Sequence, residues 1–140
     1  MGIQKCRARV TILGFTVLKI NDVSPEGPPD TYTVQTRVNN NPITEIGPIN
    51  VNPSSIGVVL NPTKLVVFSR IFLKQKKIRL KIETKVTEFD SFSFNDVAEA
   101  ETELFIPCDC CESLVVDYNP RVMGGGNDVR VFYKIELEDL

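Results

Sequence analysis

Lys77–Phe89 reads K-I-R-L-K-I-E-T-K-V-T-E-F, thirteen positions of near-strict alternation. Ile78, Leu80, Ile82 and Val86 fall on one parity, and Arg79, Lys81, Glu83 and Lys85 fall on the other. Successive side chains of an extended chain point to opposite faces, so this spacing predicts a strand with one buried and one wet face. Working outward, the same period returns in Cys6-Ala8-Val10-Ile12, set against Lys5, Arg7, Arg9 and Thr11. It returns again in Asp128–Glu138, where Val129, Val131, Tyr133, Ile135 and Leu137 share a face. Thr31–Val38, Ile56–Leu60, Leu65–Leu73, Ala98–Ile106 and Ser113–Asp117 are further strand candidates. Turn-forming clusters separate them: SPEGPPD, NNNP, NPSS, NPTK, YNP and GGGND. No segment carries a sustained helical stripe. About eight half-exposed strands predict an all-β fold, an eight-stranded antiparallel β-sandwich.

The 140 residues suffice for a single domain, 1–140, with its own hydrophobic core. Apolar residues at 42% and charged residues at 24% are ordinary for a globular chain, and the net charge of -2 advertises no nucleic-acid partner. No apolar run reaches the roughly 20 residues that span a bilayer. The opening MGIQKCRARV lacks the apolar segment of a secretory signal, so a cytoplasmic location is expected. The chain has no histidine. That excludes Ser-His-Asp and Cys-His catalysis and every zinc site that needs imidazole, and no other catalytic constellation stands out, so an enzyme is not expected.

Two acidic stretches interrupt the strands. Asn21–Asp30 carries Asp22, Glu26 and Asp30 among Pro and Gly, and the second stretch carries Glu88, Asp90 and Asp96 with Phe92 and Phe94 between them. Clustered carboxylates repel one another, so such a loop either holds a cation or faces open water. Oxygen-rich sites suit a hard ion such as calcium. In a sandwich, functional residues gather in loops held by a rigid scaffold, and two acidic loops at one end would converge.

The segment V-T-E-F-D-S-F-S-F-N-D-V resembles the third calcium-binding loop of the C2 domain family, in which a strand ends in V-x-D-x-D and a further Asp follows after five intervening residues. Glu88, Asp90 and Asp96 match those three acidic positions, Glu88 standing where the family usually carries Asp. L-K-I-N-D-V-S-P-E-G-P-P-D-T-Y-T-V resembles the first C2 loop, with Asp22 and Asp30 in its two ligand places, and Asn61-Pro62 matches an Asn-Pro before the strand that leads toward loop three. The resemblance spans most of the chain. It implies a C2-like sandwich, calcium held by Asp22, Asp30, Glu88, Asp90 and Asp96, and calcium-dependent docking onto an anionic membrane surface. It further implies peripheral membrane association, with Phe92 and Phe94 inserting into the interface. The opposite reading keeps the two phenylalanines in the core at a strand edge and leaves the carboxylates as solvated turns.

Lys74, Lys76, Lys77, Arg79, Lys81 and Lys85 crowd one strand. Arg79, Lys81 and Lys85 on its outward face would contact anionic headgroups, or else form a solvated face interrupted by Glu83. The cysteines are Cys6, Cys108, Cys110 and Cys111. Reduced thiols are the expectation for a cytoplasmic protein, with a bridge from Cys6 to the cluster, or cross-links between subunits, as alternatives. Zinc is disfavoured by the C-D-C-C spacing. Gly2 and Cys6 together raise lipidation, although the usual motif wants Ser or Thr at position 6. The second function class is a calcium-independent structural or protein-interaction β-sandwich subunit of an assembly, in which the cysteine cluster cross-links or packs.

Overall fold

Alternation in the Lys77–Phe89 stretch becomes the long strand β6 (Gln75–Phe89), with Ile78, Leu80, Ile82 and Val86 all buried. The structure, a computed structural model, describes residues 4–19, 30–89, 96–109 and 113–140. The other strands are β1 (Lys5–Lys19), β2 (Asp30–Val38), β3 (Thr44–Val51), β4 (Val59–Leu60), β5 (Leu65–Leu73), β7 (Asp96–Cys108), β8 (Leu114–Tyr118), β9 (Arg121–Gly124) and β10 (Asn127–Asp139). A 3₁₀ turn, Pro53–Ser55, precedes β4. All pairings are antiparallel.

Two sheets pack face to face. One runs β3-β2-β6-β7; the other runs β4-β1-β10-β8, with β5 extending the β1 edge and β9 the β10 edge. The inward parity of every long strand feeds one core, in which Tyr32, Tyr133 and Phe15 are the bulkiest fully buried side chains. The face predicted for Asp128–Glu138 is the one buried, from Val129 through Leu137.

The described residues hold more strands than the expected eight. β3 escapes sequence reading because Gly47 and Pro48 interrupt it, and β9 is only four residues long. Most of Ile56–Leu60 is a turn, with only Val59–Leu60 paired to β1. The parity of β1 also changes midway. Its register against β10 shifts between Ile12 and Gly14, so the core positions pass from Cys6, Ala8, Val10 and Ile12 to Phe15 and Val17. Gly14 sits at φ 139°, and a methyl group there would lie 2.9 Å from the Leu60 carbonyl oxygen, so only glycine fits the bulge.

A hydroxyl network and a disulfide cross the core between the sheets. The Tyr133 hydroxyl of β10 meets Thr36 Oγ1 of β2 at 2.7 Å and Thr84 Oγ1 of β6 at 2.8 Å, which ties the sheets together at mid-height. Nearer the end opposite the acidic stretches, Cys6 of β1 is disulfide-bonded to Cys108 of β7, with a Cα–Cα separation of 6.1 Å. The expectation of reduced thiols is therefore corrected for this pair. Folding places the two residues on the buried faces of opposed sheets, at a separation suited to a bridge, and a linear sequence does not display that proximity. Cys110 and Cys111 lie outside the described residues.

Candidate functional site

Three of the four strand ends flanking the two acidic stretches, those of β2, β6 and β7, are hydrogen-bonded neighbours. β1 ends at Lys19 in one sheet and β2 begins at Asp30 in the other, and residues 20–29 join them in sequence. Residues 90–95 join β6 to β7. At this end Thr31 pairs with Phe89, Tyr32 with Glu88, and Glu88 with Asp96. Directly opposed residues of an antiparallel pair project to the same face with Cα atoms about 4.5–5.5 Å apart. Glu88 and Asp96 are thus side by side at this end of the sheet.

Glu88 turns into the sandwich and is 1% exposed. The Tyr32 hydroxyl reaches Glu88 Oε2 at 3.3 Å and Asn127 Oδ1 at 2.9 Å, a buried link from β2 to β6 and to β10. Asp96 is half-buried, and the β9–β10 turn presses on it: a methyl group on Gly125 would lie 2.9 Å from Asp96 Cβ. Asp128, another carboxylate at this end, is engaged by both Nε and a terminal guanidinium nitrogen of Arg121. The Asp128 hydrogen bond and charge raise the Arg121 pKa, and Asp128 spends its own charge in that pair.

Of the residues predicted as ligands, Glu88 and Asp96 are brought together. Asp22 and Asp90 lie outside the described residues, as do Phe92, Phe94 and the side chain of Asp30. Among the described residues no group of three or more His, Cys, Asp or Glu side chains is arranged to hold a metal. The donor chemistry of the pair, carboxylate oxygen, is what calcium takes. Tyr32 and Asn127 were not singled out in the sequence, although a tyrosine on the inward parity of β2 must find a polar partner in the core.

The outward face of β6 is less basic than its own sequence suggests. Arg79 pairs with Glu103 of β7, and Lys81 lies 3.2 Å from Glu83 and 3.3 Å from Glu101. Those carboxylates raise the Lys81 pKa, Glu83 first. Lys85 forms no ion pair among the described residues. A groove of about 360 Å³ on this face is lined by Arg37 and Lys85 but also by Glu83, Glu99 and Glu101, so its charge is compensated. The carboxylates come from β7, whose outward row a reading of β6 alone does not see.

Two antiparallel sheets packed in this way define the class, a C2-like antiparallel β-sandwich. No family model matches the chain, and no curated protein sequence matches it. Among solved structures it is similar to human GIVD cytosolic phospholipase A2 in complex with methyl gamma-linolenyl fluorophosphonate, at 11% identity and a TM-score of 0.49 over 100% of this chain. The chain spans 18% of the length of that phospholipase. It is also similar to a C2 domain protein from Ramazzottius varieornatus, at 11% identity, 99% of this chain, 91% of that one and a TM-score of 0.45. A third likeness is to a C2 domain of plant extended synaptotagmin 1, at 10% identity, 98% of this chain, 94% of that one and a TM-score of 0.37.

Proposed function

We propose that residues 1–140 form one C2-type module, without catalytic activity of its own, that docks onto anionic phospholipid membranes when calcium binds its acidic end. The observation that carries this reading is the register: Thr31–Phe89, Tyr32–Glu88 and Glu88–Asp96 pairs root both acidic stretches side by side. Asp22, Asp30, Glu88, Asp90 and Asp96 would hold the ion. Without it the carboxylates repel anionic headgroups; calcium reverses the local sign and accepts phosphate or carboxylate oxygens of lipid. Phe92 and Phe94 then enter the interface, each contributing roughly 1.5–3 kcal/mol if fully buried. Lys85, the one of the three predicted basic contacts left unpaired among the described residues, adds about 1 kcal/mol near an anionic surface. The protein is then cytoplasmic and peripherally membrane-associated.

Calcium titration by calorimetry, followed by sedimentation with phosphatidylserine-containing vesicles, tests the proposal. Asp90→Asn should abolish the heat of binding, whereas Phe92→Ala should preserve it and reduce vesicle capture. No heat and no calcium-dependent sedimentation would sink the reading. That result would favour a calcium-independent interaction module, a reading supported by the inward turn of Glu88 and its hydrogen bond from Tyr32.

A further inference from the structure

Antiparallel sheets leave unpaired main-chain groups along their edges, and proteins blunt those edges with charge, proline or short strands. Most edges of this sandwich follow that rule. β3 carries Glu45 and Pro48, and β7 presents Asp96, Glu99, Glu101 and Glu103 with Pro107 near its end. β4, β8 and β9 span two, five and four residues. β5 differs. It runs for nine residues, L-V-V-F-S-R-I-F-L, with Arg70 as its only charge, and among the described residues it pairs with β1 alone. Val66, Ile71 and Leu73 are 46%, 49% and 59% exposed.

The outward main-chain groups of β5 can be identified. Lys74 N–H donates to the Gln4 carbonyl, and the Lys5 carbonyl accepts from Leu140 N–H on the opposite side of β1. Hydrogen-bonded and non-bonded pairs alternate along an antiparallel ladder. The pairs Cys6–Phe72, Ala8–Arg70 and Val10–Phe68 are therefore the bonded ones. Ser69 and Ile71 consequently direct both N–H and C=O away from β1, as does the N–H of Leu73, whereas the Leu73 carbonyl lies 3.7 Å from Cys108 Sγ of the facing sheet. That carbonyl also accepts the Gln75 side-chain amide at 3.1 Å, so it is engaged within the chain. This stretch lies beyond the register shift at Val10/Thr11, so it is a regular template.

From this geometry we propose that β5 is a self-association surface and that its occupant is a second copy of this chain, paired antiparallel about a two-fold axis at Ile71. Ile71 then faces the second copy's Ile71, and Ser69 faces its Leu73, so both main-chain groups of Ile71 find partners and the Leu73 N–H meets the second copy's Ser69 carbonyl. The pairing yields about four main-chain hydrogen bonds, two at the Ile71 pair and one at each Ser69–Leu73 pair. Side chains agree with the register. Arg70, whose guanidinium already lies 5.2 Å from the Phe72 ring centre, falls opposite the second copy's Phe72 rather than opposite another arginine. Such an interface is isologous and closes as a dimer. The axis stands perpendicular to the sheet, so the two acidic ends point in opposite directions.

Sedimentation velocity of the full chain across a concentration series tests this without reference to calcium. The wild type should show a concentration-dependent monomer–dimer equilibrium, with no covalent dimer on a non-reducing denaturing gel. Ile71→Lys sets two ammonium groups face to face and should weaken dimerisation roughly tenfold or more. Ile71→Pro removes a donor that serves no bond within the chain, and should also yield monomer. Circular dichroism should show both variants folded; if the proline variant is not, the lysine variant decides. A wild type that stays monomeric overturns the proposal, as does a dimer that survives the lysine variant or is held by disulfides.

Discussion

Tyr133 shows how much one hydroxyl contributes at the centre of the sandwich. Burial pushes its pKa up to about 12, and the hydrogen bonds with Thr36 and Thr84 act the other way without cancelling that effect. An unfolded tyrosine ionises near 10, so the folded value lies above the unfolded one. The stabilisation is fully present below about pH 10 and is lost as pH rises toward about 12, by roughly 3 kcal/mol in all. In a spectrophotometric pH titration of the folded chain Tyr133 should ionise at about pH 12, and unfolding free energy should fall across that window. Tyr133→Phe should flatten the alkaline dependence. It should also cost about 1–3 kcal/mol at neutral pH, measured by chemical denaturation, because two buried threonine hydroxyls lose their shared partner.

At the level of strands, the alternating stretches declared themselves where both faces were chemically distinct. β6 and β10 show their buried rows directly in the sequence. β3 does not, because Gly47-Pro48 reads as a break, yet an edge strand tolerates a missing donor. The bulge at Gly14 inverts the parity of β1 in a way no local alternation announces. The candidate site was legible in part: a pattern of acids marked Glu88 and Asp96, whereas the inward turn of Glu88 follows from a register shared with Tyr32. The β9–β10 turn gives a test of whether Asp96 belongs to the site. Gly125 has φ 58°, and an added methyl would collide with Asp96. Gly57 has φ 81° but open space around it. Gly125→Ala and Gly57→Ala should carry a similar backbone penalty of about 1–2 kcal/mol. Only Gly125→Ala should weaken calcium binding in calorimetry; equal affinities would remove Asp96 from the ligand set.

For the molecule as a whole, the decisive contact is one that local sequence patterns do not reveal. Cys6 and Cys108 stand 102 positions apart, and only the closing of one sheet over the other makes them neighbours. A loop of that length restrains the unfolded chain strongly, by about 4–5 kcal/mol on a chain-entropy account. The same closure has a consequence for cleavage. Both acidic connections, 20–29 and 90–95, fall inside the covalent ring that runs from Cys6 to Cys108. A protease that cuts the backbone once in either connection therefore releases nothing: the two pieces remain one molecule. Limited proteolysis should give a single full-mass band on a non-reducing denaturing gel and two fragments after reduction. Fragments that separate without reductant would show that the ring is open.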